Sequence, residues 1–167
     1  AKADKVPRGK NVVVNGDFEK VGADGKPEGW EGTRHVTIES ENNNRFMRFM
    51  ESTLNRDGTV SLYMLSQALE LPENARTVRI TSRLRAKGEG NGKMKDTRWP
   101  RVYVEFKNKE GKAFCWVHAV GSEKIGTWSE IDKEDRIPKE AVRAEVIVSN
   151  DRCTGQIDFD DVEVTFK

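Results

Sequence analysis

The stretch Gly155–Phe166, G-Q-I-D-F-D-D-V-E-V-T-F, carries the pattern that decides the fold. Ile157 and Phe159 alternate with polar neighbours, Val162, Val164 and Phe166 alternate again, and the two runs meet at Asp160 and Asp161. A period of two is what a half-buried strand requires, because successive side chains leave opposite faces of a sheet. Adjacent carboxylates at the change of phase admit two readings. A β-bulge turns one of them to water, or a hard cation ligated by oxygen meets them, since a buried unpaired carboxylate is costly.

Working outward, the same alternation recurs in Asn11–Glu19, His35–Glu39, Arg45–Glu51, Ser61–Leu71, Thr77–Ala86, Arg101–Lys107, Ala113–Val120, Thr127–Ile131 and Ala141–Ser149. The cluster Ala23–Gly29, A-D-G-K-P-E-G, reads as a turn that delivers Trp30. No stretch of helical length places apolar residues at i, i+3, i+4 and i+7. The chain is therefore expected to be all-β, a β-sandwich or jelly roll rather than a parallel architecture.

Alternation also assigns faces. In Thr77–Ala86, Val78, Ile80 and Leu84 point inward and Arg79, Thr81, Arg83 and Arg85 outward; in Arg101–Lys107, Val102, Val104 and Phe106 oppose Tyr103, Glu105 and Lys107. In Ala141–Ser149, Val142, Ala144, Val146 and Val148 form the expected inner set, with Arg143, Glu145, Ile147 and Ser149 outside. Ala113–Val120 divides into small aliphatic Cys115, Val117 and Ala119, which suit a core, and Phe114, Trp116 and His118, which then lie on the outer face. An aromatic row exposed there is the kind of patch that marks a binding surface.

At 167 residues the chain suits one domain, read as an N-terminal extension or linker over 1–10 and a single β-sandwich over 11–167. Lys plus Arg number 29 against 28 Asp plus Glu, a net charge of +1, which points to neither nucleic acid nor an anionic membrane as partner. No apolar run approaches the roughly 18 residues of a membrane span, and the first ten residues lack a signal-peptide core. The expectation is a soluble domain, a piece of a longer secreted chain. Cys115 and Cys153, far apart and without a C-x-x-C partner, exclude zinc and thioredoxin-type readings and leave open a disulfide or two separate thiols.

Five quoted pieces carry a resemblance: N-V-V-V-N-G-D-F-E, then G-K-P-E-G-W, then S-Q-A-L-E-L-P-E-N-A-R-T-V-R-I-T-S-R-L-R-A, then G-T-W-S-E-I, and finally I-D-F-D-D-V-E-V. In that order, from about Asn11 to Phe166, the chain resembles carbohydrate-binding modules of the family 4, 9, 16 and 22 type. The resemblance implies a galactose-binding-like jelly roll of two antiparallel sheets, a noncatalytic and monomeric module. It implies an appended secreted glycoside hydrolase or lyase and an extracellular, periplasmic or cell-surface setting. It further implies one structural calcium, with Glu19 and Asp160 as carboxylate ligands, Asp17 through its main chain and the turn from Asn42 to Arg45. Asn42 stands where relatives often supply a carboxylate, which leaves the cage one charge poorer.

The same resemblance places a polysaccharide in a cleft on one sheet, β-glucan or xylan being favoured. That position coincides with the outward residues Tyr103, Glu105, Trp116, His118, Arg143 and Glu145. Sugar rings offer a C–H face to an aromatic plane and hydroxyls to Arg, Glu and His, so Trp116 becomes the stacking platform and Arg143 and Glu145 the orienting pair. Trp99 and Arg101 would rim the cleft. Trp30 and Trp128 stand at structural positions, and the Arg79, Arg83 and Arg85 row reads as a solvated charge face unless it lines the cleft of an anionic glycan.

Catalysis is not expected. The nucleophile of an E-x-D-x-x-E strand is missing at Gln156, with Asp161 at the last position, and no G-x-S-x-G, H-E-x-x-H or phosphate-binding motif occurs. Two other readings stay open: a structural or interaction jelly roll that binds no sugar, and a small lyase or hydrolase using Tyr103, His118 and Arg143.

Overall fold

In the computed structural model, which describes residues 10–52, 55–87, 99–121 and 126–167, the deciding stretch is the middle strand of a sheet. Ten strands follow in chain order among the described residues: β1 (Glu31–Gly32), β2 (Val36–Glu41), β3 (Asn44–Ser52), β4 (Met64–Leu69), β5 (Thr77–Lys87), β6 (Arg101–Lys107), β7 (Ala113–Val120), β8 (Ser129–Arg136), β9 (Arg143–Ser149) and β10 (Gly155–Phe166). They form two five-stranded sheets, ordered β2-β3-β10-β5-β8 and β1-β4-β9-β6-β7. Every pairing is antiparallel. The architecture is the all-β sandwich that the alternation implied.

The inner faces interlock. Phe159, Val162, Val164 and Phe166 of β10 are fully buried, opposite the equally buried Val102, Val104, Phe106, Val146 and Val148 of the other sheet. Burying one such side chain contributes about 1.5–3 kcal/mol, so this layer holds the sheets together. The phase change is a bulge: Asp160 pairs with Arg83, but Glu163 pairs with Thr81, and Asp161 takes φ 49°. Asp161 is turned to solvent while Asp160 is buried. The one extra residue keeps Ile157, Phe159, Val162 and Val164 on one face.

Several local expectations are corrected. Asn11–Glu19 is not a strand. It joins β10 through the Asn11–Thr165 bridge and Val12 N–H donating to the Val164 carbonyl at 2.9 Å, then turns away because Asn15 and Phe18 take positive φ of 52° and 55°. Gly16 makes that approach possible, since a Cβ there would collide with the Val162 carbonyl. Val142 lies outside β9 and is exposed, whereas Ile147 and Ser149 are buried, because β9 is flanked on both sides by β4 and β6. A register shift at Phe106/Lys107 turns Phe114 partly into the core, away from the Trp116 face. Edge strand β8 runs on to Arg136 with Ile131 as its one buried residue, a charged edge with no apolar alternation to read. Cys115 and Cys153 form no disulfide. Residues 1–9, within the expected extension, and 88–98, the loop before Trp99, lie outside the described residues.

Candidate functional site

The outward side chains of β4, β9, β6 and β7 form cross-strand rows because the four strands share one register. Ser66, Ile147, Tyr103 and His118 make one row, which Glu31 of β1 extends. Ala68, Glu145, Glu105 and Trp116 make the next. Directly opposed side chains on such pairs are about 4.5–5.5 Å apart at Cβ, close enough to act together. They border a cleft of about 480 Å³ whose wall includes Glu31, Met64, Tyr103, Glu105, Glu145 and Ile147.

Trp116 is directed outward because Val117 and Ala119 take the core positions of β7, and 45% of it is exposed. Its indole N–H donates to Glu105 Oε2 at 2.9 Å. The Lys107 ammonium lies 3.7 Å from Glu105 Oε1 and 3.4 Å from Glu145 Oε2, between two carboxylates that would otherwise repel. The Tyr103 and His118 rings meet at 5.0 Å between centroids, tilted by 38°. Burial, followed by the neighbouring Glu105, Asp151 and Glu145 charges, pushes the Tyr103 hydroxyl above its ordinary range, so it stays protonated and able to donate. Burial and then Arg101 hold His118 below its usual value, leaving it neutral at pH 7 with one donor and one acceptor nitrogen. An exposed indole face beside carboxylates, a phenol and a neutral imidazole suits a ligand with apolar C–H faces and hydroxyl groups.

Of the residues expected from sequence, Tyr103, Glu105 and Glu145 line the cleft, and Trp116 and His118 flank it on β7. Arg101 is turned aside: Nη2 pairs with Asp151 Oδ2 at 2.8 Å, and Nε donates to the Trp99 carbonyl at 3.1 Å. Trp99 therefore reaches this network through its main chain. Arg143 is exposed opposite Lys107, four residues along β9 from the row of Tyr103 and His118, which is about 13 Å. That spacing separates the three residues a lyase reading would have required together. Glu31, Thr33, Met64 and Ser66 also line the cleft. Sequence reading missed them, because a two-residue β1 is too short to show any period, although the outward phase of β4 could have nominated Met64 and Ser66.

The residues expected to hold calcium converge in part. Arg45 N–H donates to Glu19 Oε1 at 3.0 Å, and the amide of the adjoining Asn44 donates to Asp160 Oδ2 at 2.8 Å, so both carboxylates meet the start of β3. Burial pushes the Asp160 carboxyl up to about 6. The Arg83 guanidinium is 3.9 Å from Oδ2, and the Asp161 N–H donates to Oδ1 at 2.8 Å, so both oxygens are met within the protein. Other features fit less well. Arg45 Nη1 donates to the Glu19 carbonyl at 2.7 Å, placing a positive charge beside it. Asp17 Oδ1 accepts the Glu19 N–H at 3.4 Å, and Asn42 and Asn43 are the left-handed pair of the β2–β3 turn, with φ 49° and 62°. Among the described residues no group of three or more His, Cys, Asp and Glu side chains is placed to hold a metal. Glu19 and Asp160 are the two carboxylates a calcium ion would draw on here, with neutral oxygens needed for the rest of its ligands.

The arginine row lies on the outer face of the other sheet, away from the cleft. There the fully buried Asp158 accepts from Arg48 Nε at 2.8 Å and pairs with Arg85 Nη2 at 2.8 Å, and Arg85 also holds Glu41 at 2.8 and 2.9 Å. The hydrogen bonds that Arg85 donates to Glu41 and Arg48 donates to Asp158 keep both guanidinium groups above their usual range. Trp128 packs on Phe46 at 5.3 Å, and Arg85 and Arg83 stack on it at 4.6 and 4.9 Å. Arg79 pairs with Asp132 at 2.7 Å. These arginines are engaged within the protein, and Trp128 anchors them.

No family model matches the chain, and no curated protein matches it in sequence. Solved structures do match in fold. Family 16 carbohydrate-binding module-2 is similar with a TM-score of 0.63 at 14% identity, over 93% of this chain and 99% of that one. TmCBM61, solved with β-1,4-galactotriose, is similar at 0.56 and 18% identity, over 95% of this chain and 99% of that one. The enzymatically active domain of bacteriophage CBA120 tailspike protein 4 is similar at 0.64 and 18% identity, over 94% of this chain but 21% of that one, so the chain spans about a fifth of that solved chain. The chain has the β-sandwich jelly-roll fold of carbohydrate-binding modules.

Proposed function

We propose that this chain is a noncatalytic carbohydrate-binding module whose cleft takes a neutral polysaccharide of the β-glucan or xylan class. Its role would be to hold an attached secreted glycoside hydrolase or lyase on that polymer. The observation that carries the reading is the exposed Trp116 ring beside the cleft of Tyr103, Glu105 and Glu145. Stacking would supply the apolar part of recognition, with carboxylates, the Tyr103 hydroxyl and His118 taking sugar hydroxyls. Affinity is expected on the order of micromolar to millimolar, because a shallow site buries few groups while the ligand loses freedom. Arg143 is proposed as an outer contact of a longer chain, whereas Arg101, paired with Asp151, is not.

Calcium is proposed as a structural ion held by Glu19, Asp160 and neutral oxygens near Asp17 and the Asn42–Arg45 turn. It would neutralise the buried Asp160 and tie the segment before β1 to β10.

A second reading is favoured by a specific feature, the internal pairing of Lys107 with Glu105 and Glu145. Charges satisfied by one another suit a spacer or docking domain that binds no sugar. Binding to a glycan array of neutral β-glucans, xylans and mannans beside alginate, pectin and sulfated galactans, with and without calcium, separates the two. Retention on neutral β-glycans supports the module, and silence across the panel supports the spacer.

A further inference from the structure

We propose that Glu105 is a positioning residue that sets the angle of the Trp116 indole, and that Glu145 is the carboxylate left to accept a ligand hydroxyl. Glu105 stands opposite Trp116 on one side and opposite Glu145 on the other. Its Oε2 accepts the indole N–H at 2.9 Å, and its Oε1 faces the Lys107 ammonium at 3.7 Å, beyond hydrogen-bond range. Lys107 donates to Glu145 Oε2 at 3.4 Å, and among the described residues the indole N–H is directed at Glu105 and not at Glu145. Glu145 lines the cleft and does not hold the ring. Sequence reading grouped Glu105 with the outward residues of the cleft and gave the orienting role to Glu145 with Arg143; the indole bond gives Glu105 a role of its own.

The arrangement answers a problem of position. Trp116 is on β7, the edge strand among the described residues, with no described strand beyond it to restrain the ring. A half-exposed indole free to rotate would lose that freedom on stacking, which weakens binding; a ring already held does not. A carboxylate is a strong acceptor for this purpose, because charge-assisted hydrogen bonds are about twice as strong as neutral ones. Lys107 permits the device, since directly opposed like charges are otherwise destabilising.

The test compares Glu105→Gln, which keeps an acceptor for the indole, with Glu105→Leu, which keeps the volume and removes it. Acrylamide quenching of Trp116 is taken as the difference between each protein and its Trp116→Phe counterpart. In Glu105→Leu it should rise by a factor on the order of two, and in Glu105→Gln it should stay near the parent value. Calorimetric titration with cellohexaose and xylohexaose should show binding weakened on the order of tenfold by Glu105→Leu and within about threefold of the parent for Glu105→Gln. Glu145→Ala should weaken binding while leaving Trp116 quenching unchanged. Equal quenching in the Leu and Gln variants overturns the assignment.

Should Glu105→Leu fail to fold, hydrogen exchange of the Trp116 indole N–H in the parent protein decides. Protection supports the hydrogen bond, and exchange at the rate of a free indole removes it. The titration rests on the cleft being a glycan site, whereas the quenching does not. A quenching change without binding of either oligosaccharide supports the role of Glu105 and counts against the glycan reading.

Discussion

Arg85 and Asp158 face one another across β5 and β10 as a register pair, their Nη2 and Oδ2 atoms 2.8 Å apart and both side chains buried. The pair belongs to a network in which Arg48 holds the same carboxylate and Glu41 holds Arg85. Burying a charge is tolerated when each partner is met, and removing one partner strands the rest.

Asp158→Ala should therefore destabilise the protein by about 3 kcal/mol, toward the lower end of what breaking a buried pair costs, because Glu41 and Glu39 still face the arginines. For a domain of this size that is a fall in melting temperature of about 6–12 °C. Asp158→Asn, which retains an acceptor, should fall less. Calorimetric melting checks both, and a shift below about 2 °C for the alanine variant would sink the account.

Trp116→Ala should abolish retardation by the polysaccharide in an affinity gel and leave melting close to the parent, because the ring is half exposed and outside the core. Equal retardation of parent and variant removes Trp116 from the site.

His118 should make stability decline as the solution becomes more acidic. Its value in the folded protein lies below the ordinary 6.5, through burial first and Arg101 second, with Asp151 opposing. Above 6.5 neither folded nor unfolded chain carries the proton, so the contribution is absent. As pH falls from 6.5 toward the depressed folded value, the unfolded chain binds the proton first and stability drops. The effect is small because the ring is solvent-accessible. The melting difference between the parent and His118→Gln, followed from about pH 7.5 downward, should move against the parent below 6.5; a flat difference refutes it.

Removal of calcium by a chelator should lower the melting temperature, and restoring excess calcium should recover it, as for any ligand bound to the folded state alone. Asp160→Asn should lose that response, since the amide carries no charge to bind the ion. A chelator-insensitive melt together with no metal by elemental analysis rules the ion out.

Much of this was legible before folding, for a physical reason: a pleated strand shows its two faces in sequence. Alternation placed Val78, Ile80, Val102, Val104 and Phe106 inside, placed Tyr103, Glu105, Trp116 and His118 outside, and marked the bulge at Asp160–Asp161 by its break in phase. Residues whose role depends on a partner far along the chain were not legible. Nothing local to Asp158 says that Arg48, 110 residues away, meets it, or that Arg101 turns from the cleft to Asp151. The two residues of β1 bring Glu31 to the cleft only because β4 offers them an edge. The sequence by itself determined the period, and so the strands and their faces. The tertiary structure decided which outward residues share a row, which charges neutralise one another and which remain available, because those depend on register between strands, and register is a long-range quantity.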